Sequence, residues 1–231
     1  MNANIQRLFT IAQKETRNII GLMSGTSLDG LDVAFCKISN SGENTAVELV
    51  NFETISYSTE FKDQIRKVFT KKEIIFQDLV LLNEIIGTVH AEMVLECLEK
   101  WKITTDEVDV IASHGQTVFH APKNLHQLKG YPNATLQIGD GDHIAVKTGI
   151  ITISDFRQKH VAAGGEGAPL AVYGDYFLFG QKDENRIMLN IGGISNFTFL
   201  PANRNPSQII VTDTGTGNTL IDNFVKMYFL V

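Results

Sequence analysis

The chain has 231 residues, of which 43% are hydrophobic and 20% are charged, and its formal net charge at pH 7 is −6. This composition is that of a globular protein, and its acidic balance argues against nucleic-acid partners and anionic membranes. The two cysteines cannot form a disulfide framework, and no apolar stretch is long enough to predict a membrane-spanning helix. The N-terminal residues are too polar for a signal peptide, so we expect a cytoplasmic protein.

The first half of the sequence predicts a small antiparallel sheet followed by helices. Residues 1–17 predict a surface helix, and residues 18–56 contain three alternating runs joined by turn sequences, which is typical of a meander. Helices are predicted over 59–70 and 73–100, the second from an apolar stripe at steps of three and four. His90 lies within that stripe, and we interpret it as a structural residue.

The middle of the sequence has the pattern of a parallel sheet. Short apolar runs over 108–112 and 150–154 predict buried strands, and a further short strand is predicted at 135–138. Residues 139–148 predict a helix. The first of these strands is expected to end before His114, at the start of a polar turn.

A second meander pattern closes the sequence. A glycine-rich loop is expected at 162–169, a helix at 170–180, and another helix near residue 219. Three strands are predicted between these helices, at 186–191, 195–200 and 208–212. Because a meander with a glycine turn occurs twice, we expect two similar α/β lobes that face a cleft.

Four segments combine glycine with Ser, Thr, Asn and Asp: 24–30, 164–169, 190–196 and 213–218. Glycine lets backbone N–H groups approach a ligand and point in one direction, and such groups bind phosphate oxygens. Ligand-free tight turns are the alternative for any single segment. No GxxxxGK[ST] motif is present and no GxGxxG follows a strand, which excludes a Walker loop and disfavours a Rossmann site.

Polar side chains in these segments add to the predicted phosphate site. Hydroxyl donors are available from Thr26, Ser27, Thr214 and Thr216. Carboxylates at Asp29, Asp32 and Asp213 are candidates to hold Mg²⁺, directly or through water, because this ion favours oxygen ligands beside phosphates.

Two further segments carry candidate chemistry at predicted strand ends. Asp155 follows a parallel strand at the edge that faces the ligand crevice in open α/β sheets, with Arg157 beside it. It is a candidate general base, and a salt-bridged or capping Asp is the alternative. His114 and Gln116 form, with His120, a polar cluster suited to sugar hydroxyls, against the alternative of a capped turn. Their spacing does not match the HExxH metal motif.

Six segments occur in order between Ile19 and Phe224: IIGLMSGTSLDGLDVAF, ASHGQTVFH, LQIGDGDHIA, SDFRQKHVAAGGEGAPL, LNIGGISNFT and DTGTGNTLIDNF. Their combination resembles the anhydro-N-acetylmuramic acid kinase family, within the actin/hexokinase/Hsp70 superfamily. The resemblance implies an actin-like ATPase (ribonuclease H-like) α/β fold with duplicated lobes around a cleft. Residues 18–150 would form the first lobe, with the sugar site and first phosphate loop. Residues 151–231 would begin a second, incomplete lobe with the second phosphate loop.

The resemblance also implies a reaction in peptidoglycan recycling. Family members convert 1,6-anhydro-N-acetylmuramic acid, ATP and water to N-acetylmuramic acid 6-phosphate and ADP. By this carry-over Asp155 deprotonates a water that attacks C1, and the released O6 attacks the γ-phosphate. Mg²⁺ would accompany ATP, with Asp29 or Asp213 nearby.

The implied contacts divide between nucleotide and sugar. The positions expected to bind ATP are Gly25, Thr26, Ser27, Leu28, Asp29, Gly30, Leu31, Asp32, Asn190, Gly192, Gly193, Asp213 and Gly215. The positions expected to bind the sugar are His114, Gln116, Thr117 and Arg157. A homodimer is the expected assembly.

The sequence also departs from the family pattern. His160, Glu166 and Thr216 stand where the family usually has Asp, Gln and Pro, and Ala171-Val172 replaces Val-Pro, which affects substrate positioning more than the proposed base. Family members normally continue well beyond Val231, so we expect the apolar end 227–231 to be buried by further material. Two alternatives therefore stand beside the kinase: a non-catalytic remnant or sugar-binding module, and a kinase of a different amino sugar.

Overall fold

The computed structural model describes residues 3–229, and these form two β-sheets with helices around them. The larger sheet has six strands in parallel and antiparallel pairs, and the smaller sheet has three antiparallel strands. This mixture of helices and a mixed sheet confirms the expected α/β class. No helix within residues 3–229 is long and apolar enough to cross a membrane.

The N-terminal part forms the antiparallel meander that the sequence predicts. Helix α1 (Ala3–Ala12) is followed by strands β1 (Thr16–Ser24), β2 (Gly30–Ser39) and β3 (Ala46–Ser56). Adjacent strands pair antiparallel in the order β3-β2-β1. Leu28 and Asn40 adopt positive φ angles in the two connections, which lets the chain reverse direction within a few residues.

Two helices pack against this sheet, and the second was expected from its apolar stripe. They are α2 (Thr59–Arg66), which Ser58 caps by accepting the N–H of Phe61, and α3 (Phe76–Trp101). The buried residues of α3 recur at steps of three and four: Leu82, Ile86, Gly87, His90, Ala91, Val94, Cys97 and Leu98. They form the main core with Ile20 and Ile111 of the sheet.

Strand β4 (Val110–Ala121) corrects the predicted strand end before His114. Its first residues pair parallel with β1, and its later residues pair antiparallel with β5 (Ala134–Ile138). Gly115 has a φ of +71°, and the register with β1 shifts beside it, so the strand bends without ending. The prediction was wrong because the polar half is extended through its pairing with β5, which the polar run itself does not reveal.

Short elements before and after β5 lead the chain back into the large sheet. The short helix α4 (Lys123–His126) precedes β5, and α5 (Gly141–Thr148) and β6 (Thr152–Ser154) follow it. As predicted, β6 is a parallel strand, and it pairs with β4. This strand lies in the large sheet although it follows residue 150, the expected lobe boundary. Helix α6 (Phe156–Ala162), which the sequence analysis did not predict, begins directly after Asp155.

The C-terminal part forms the second meander. Its elements are α7 (Ala171–Phe179), β7 (Arg186–Ile191), β8 (Ile194–Leu200), β9 (Ile210–Thr216) and α8 (Asn218–Phe229). Asp213 and Gly215 lie inside β9, where a turn was expected, because this strand pairs with β8 as far as Thr216. Of the apolar end 227–231, the last two residues lie outside the described part, and Met227, Tyr228 and Phe229 are exposed.

His90 is the one histidine of the described chain that lies in the hydrophobic core, with 1% of its surface exposed. Burial lowers its pKa from 6.5 to about 3, because the apolar surroundings disfavour the imidazolium. Between these two pH values the unfolded chain binds a proton at His90 that the folded chain does not bind.

The free energy of unfolding is therefore expected to fall as the pH falls from about 7 to about 5. The contribution of His90 to this loss is about 2 kcal/mol over that interval. Urea unfolding at several pH values should show a weaker acid dependence for His90→Gln than for the parent chain. His143→Gln replaces a partly exposed histidine and serves as the control. Equal changes in both variants would contradict the assignment.

Candidate active site

The first glycine turn connects β1 to β2 and exposes several polar groups. Leu28 donates its N–H to the Gly25 carbonyl at 3.4 Å, and the Ser27 hydroxyl donates to the Asp29 carboxylate at 2.6 Å. Thr26, Ser27 and Asp29 are exposed, while Gly25 is partly buried. The turn therefore presents hydroxyl groups and one carboxylate together at the end of β1.

Four of the eight positions expected to bind ATP in this stretch have structural roles in the fold. Leu28 and Leu31 are buried in the core, with 3% and 0% of their surface exposed. Asp32 accepts a hydrogen bond from the Thr54 hydroxyl at 2.6 Å. Gly30 lies so close to β3 that a Cβ there would come within 2.2 Å of the Ile55 carbonyl oxygen.

The second glycine turn, Gly192–Gly193, connects β7 to β8 and lies against the first. A Cβ on Gly193 would lie 3.2 Å from the Thr26 hydroxyl oxygen and 3.3 Å from that of Thr219. The structure thus brings together the two turns that the sequence predicts as phosphate loops. The close approach favours glycine at position 193, because a Cβ there would require the hydroxyls of Thr26 and Thr219 to shift by a few tenths of an ångström.

The carbonyl groups of this second turn are occupied by the start of α8. Gly192 accepts the N–H of Asn218 at 2.7 Å, and Gly193 accepts the N–H of Gly217 at 3.0 Å. The Thr219 hydroxyl also donates to the Gly193 carbonyl at 3.0 Å. The turn and the helix are therefore held as one unit.

Three other predicted positions lie around these turns. Asn190 is exposed one residue before the end of β7, and Gly215 has a φ of +141° within β9. Asp213 is exposed on β9. Burial and the Arg157 charge lower the pKa of His120 on β4, and the charges of Glu166 and Asp213 partly oppose this shift. Asp213 therefore acts electrostatically on a residue of the larger sheet.

A polar cavity of about 200 Å³ lies where β4, β5 and β6 end or bend. Its lining includes Asn83, His114, Gly139, Asp140, Ser154 and Asp155. Asp155 is exposed, with a φ of +60°, a conformation that Asp tolerates better than most residues, and it links β6 to α6. Partial burial raises the pKa of its carboxyl group. A carboxylate thus stands at the rim of a cavity suited to a polar ligand.

His114 and Arg157 form a pair beside this cavity. The Arg157 Nε donates to His114 Nε2 at 2.8 Å, so the proton of the neutral imidazole lies on Nδ1, which donates to the Gly115 carbonyl at 2.9 Å. Burial and the Arg157 charge lower the pKa of His114, which keeps the ring neutral. Arg157 itself is partly buried, and no carboxylate within residues 3–229 forms an ion pair with it.

Gln116 and Thr117, the other two expected sugar contacts, lie beneath the surface. Gln116 has no exposed surface, and its side-chain amide bonds to Ser24, to the Gly25 carbonyl and to the Thr117 carbonyl. Thr117 is 8% exposed and accepts a hydrogen bond from Gln137. The structure therefore brings His114, Arg157 and Asp155 together and leaves Gln116 and Thr117 out of the cavity.

The cavity also contains residues that the sequence analysis did not single out. Asn83 of α3 accepts the Gly139 N–H on its side-chain oxygen at 2.9 Å and the Asp140 N–H on its carbonyl at 3.1 Å. Asp140 in turn accepts the Asp142 N–H at 2.8 Å and caps α5. The IGDGDH segment signals such a cap, but only the fold shows that Asn83 reaches it.

The described residues contain no group of three or more His, Cys, Asp or Glu side chains that could hold a metal ion. Asp29 and Asp213 are single exposed carboxylates. They fit a Mg²⁺ ion that is held mainly by phosphate oxygens and water, which is common beside nucleotides.

Two glycine turns, one beside each sheet, thus lie against each other, and the large sheet also carries a polar cavity with a carboxylate at its rim. This arrangement defines a class of α/β proteins that can hold phosphate groups on backbone N–H donors and perform acid–base chemistry beside them. Within that class the chain can be assigned to one family. The chain belongs to the anhydro-N-acetylmuramic acid kinase family, whose family model matches residues 17–229.

Curated relatives carry the same description. The chain is 55% identical over 229 residues to an anhydro-N-acetylmuramic acid kinase of Pseudoalteromonas atlantica, covering 99% of this chain and 57% of the relative. It is 41% identical over 222 residues to the protein of that name from Caldanaerobacter subterraneus, covering 96% and 56%. The corresponding values for Clostridioides difficile are 40% over 210 residues, 91% and 54%. The chain spans little more than half the length of these relatives.

The close approach of β2 and β3 at Gly30 predicts that a side chain at this position lowers the stability of the fold. Gly30→Ala is expected to lower the free energy of unfolding by at least about 2 kcal/mol, because the new Cβ overlaps the Ile55 carbonyl oxygen. Gly174→Ala within α7 meets nothing within 4 Å and should stabilise the chain by up to about 1 kcal/mol. Urea unfolding measures both. A Gly30→Ala variant as stable as the parent would contradict the described packing.

Proposed function

We propose that this chain provides the sugar site and phosphate loops of an ATP-dependent kinase. The kinase converts 1,6-anhydro-N-acetylmuramic acid, ATP and water to N-acetylmuramic acid 6-phosphate and ADP in peptidoglycan recycling. The observation that carries the proposal is the position of Asp155 at the rim of the polar cavity, beside the His114–Arg157 pair. Family membership and the names of the relatives support the substrate and the reaction.

We also propose that the two meanders are equivalent parts of duplicated lobes. Each has three antiparallel strands, with a glycine turn between the first and second strand. The turns at Gly25 and at Gly192–Gly193 then meet as the two phosphate loops of a cleft, and their contact at Thr26 supports this reading.

ATP is placed with its phosphates between these two turns. Phosphoryl transfer depends mainly on positioning and on neutralising the charge of the transferred group. Backbone N–H groups and the hydroxyls of Thr26 and Ser27 would supply donors. Mg²⁺, when bound, would balance phosphate charge, with Asp29 and Asp213 as the nearby carboxylates.

Asp155 is proposed as the general base. It removes a proton from water while the water oxygen bonds to C1 of the sugar and the C1–O6 bond breaks. The released O6 then forms a bond to the γ-phosphorus as the bond to ADP breaks. The raised pKa of Asp155 makes its carboxylate a better proton acceptor than an ordinary Asp.

Arg157 is proposed to bind the sugar's carboxylate. Its guanidinium is partly buried and bonded only to the neutral His114 within residues 3–229. A partly buried charge without a counter-ion favours an anionic ligand, and muramic acid differs from glucosamine by a lactyl ether that carries a carboxylate.

Replacing the proposed base should stop the reaction but leave nucleotide binding intact. Asp155→Asn is expected to lower turnover by at least about 10²-fold, because general-base catalysis typically contributes 10²–10⁴-fold. A coupled assay of ADP release measures turnover, and calorimetry measures ATP affinity. Asp106→Asn, at an exposed Asp far from the cavity in sequence, is the control. Full activity of Asp155→Asn would contradict the base assignment.

The same assay separates the kinase from the alternative of a non-catalytic remnant. Turnover by the 231-residue chain alone would exclude the remnant. Sugar binding without turnover, with turnover in a longer form, would show that this chain holds only the binding part. Turnover of N-acetylglucosamine in place of the anhydro sugar would favour the third alternative. The homodimer stays a prediction.

Loss of the Arg157 charge should affect only a sugar with a carboxylate. Arg157→Gln is expected to weaken binding of 1,6-anhydro-N-acetylmuramic acid by about 10- to 100-fold, the effect of losing a charge-assisted hydrogen bond. Binding of 1,6-anhydro-N-acetylglucosamine, which lacks the lactyl group, should change little. Calorimetry measures both, and Arg66→Gln on the exposed face of α2 is the control. An equal loss for both sugars would contradict a carboxylate contact.

A further inference from the structure

A chain of buried polar side chains connects the core to the first glycine turn. It consists of Ser24, Tyr57, His90 and Gln116, of which none has more than 4% of its surface exposed. They come from the end of β1, the residue after β3, the middle of α3 and the bend of β4. Four separate elements therefore contribute to one hydrogen-bonded chain, which ends at a backbone carbonyl of the turn.

The contacts in this chain are all within hydrogen-bond distance. His90 Nε2 lies 2.7 Å from the Tyr57 hydroxyl, and that hydroxyl lies 2.8 Å from the Ser24 hydroxyl. Ser24 lies 2.5 Å from Gln116 Oε1. Gln116 Nε2 then donates to the Gly25 carbonyl at 3.3 Å and to the Thr117 carbonyl at 3.1 Å.

Only one arrangement of protons satisfies all of these contacts. The two carbonyl groups accept only, so the amide nitrogen of Gln116 must face them, and its oxygen must face Ser24. Ser24 donates its single proton to that oxygen, and Tyr57 therefore donates its own proton to Ser24. His90 must then donate from Nε2 to Tyr57, which leaves Nδ1 without a proton.

Two observations agree with this direction. His90 Nδ1 is buried and has no hydrogen-bond partner in the described part of the chain, as expected for the nitrogen without a proton. Burial also holds His90 and Tyr57 in their neutral forms, since it lowers the pKa of the imidazole and raises that of the phenol. Neither group changes charge near neutral pH, so the direction of the chain is constant there.

The last bond of the chain helps to fix the orientation of a peptide plane in the turn, whose Gly25 carbonyl also accepts the N–H of Leu28 at 3.4 Å. The Gly25 carbonyl and the Thr26 N–H belong to one planar trans peptide group and point in opposite directions. Because the carbonyl points to the buried Gln116, the Thr26 N–H points away from it. No acceptor for this N–H exists within residues 3–229, and Thr26 is exposed beside Gly193.

The other end of the turn depends on the same tyrosine. The Tyr57 N–H donates to the Asp29 carbonyl at 3.0 Å. The backbone of Tyr57 therefore bonds directly to the turn at Asp29. Its hydroxyl is linked to the turn indirectly, through Ser24 and Gln116. Its ring lies edge-on to Phe61 with 4.9 Å between centroids, which restricts its rotation.

We propose that Gln116, Ser24, Tyr57 and His90 are positioning residues for the first phosphate loop. They hold the Gly25–Thr26 peptide so that the Thr26 N–H is directed at an anionic oxygen, the terminal phosphates of ATP being the expected source. The choice of ATP rests on the proposed function, whereas the orientation of the peptide does not. Gln116 thus serves the nucleotide side of the site from beneath, although the resemblance assigns it to the sugar.

The test uses Tyr57→Phe and Ser24→Ala in the full 231-residue chain. Each removes one hydroxyl group and breaks the chain of donors, with little change in volume. Tyr131→Phe, at an exposed tyrosine, is the matched control. Hydrogen exchange reports the amides of Leu28 and Tyr57, which bond to the two ends of the turn. Calorimetry reports the affinity for ATP.

Both variants are expected to exchange these amides at least about tenfold faster and to bind ATP about tenfold more weakly, with exchange in α5 unchanged. Ser24→Thr retains the hydroxyl and should restore both values, which a loss of packing alone would not permit. If Tyr57→Phe does not fold, Ser24→Ala and Ser24→Thr decide the matter.

The proposal is overturned if the folded variants keep the exchange rates and the ATP affinity of the parent, or if Ser24→Thr behaves like Ser24→Ala. If the parent chain binds no ATP, the proposed function is overturned. Faster amide exchange in the variants would then still support the positioning of the peptide. Equal effects of Tyr131→Phe would also overturn the proposal, because that residue has no place in the chain of donors.

Discussion

The pairing of β4 with three other strands is the constraint on which the site depends. Its first half pairs parallel with both β1 and β6, and its second half pairs antiparallel with β5. Parallel strands end at the same edge of a sheet. The first glycine turn after β1, Asp155 after β6 and His114 in β4 therefore gather at one edge. β4 bends at Gly115, where a Cβ would lie 2.6 Å from the Ile138 carbonyl oxygen. The bend lets the same strand pair first with β1 and β6 and then with β5.

Local patterns were enough to predict both meanders, helix α3 and the three parallel or short strands. These elements depend on alternation, helical periodicity and turn residues that lie within a few positions of one another. The extent of β4 was not predictable in this way, because the polar run from His114 onward shows no strand pattern of its own and is extended through its pairing with β5. Helix α6 was missed because a single residue, Asp155, separates it from β6, so no turn sequence marks its start.

The candidate site shows the same division. The two glycine turns and Asp155 were selected from their residue types alone, and the fold brings the two turns together. Gln116 looked like a sugar contact because an amide suits hydroxyl groups. Its actual partner, Ser24, is 92 residues away in the sequence, so only the folded chain shows that the amide is fully used inside. Ile187, Leu189 and Ile210 of the small sheet are exposed, and the duplicated lobes stay a prediction.

The one-way order of protons from His90 to Gln116 has an evolutionary consequence. Each hydroxyl in the chain has one proton to give, so the direction at one position dictates the direction at the next. A substitution that reverses or removes a donor at Tyr57 leaves its neighbours with the wrong polarity as well. Changes that remove a donor at Ser24, Tyr57 or His90 are therefore coupled, and the fitness effect of each depends on the other two.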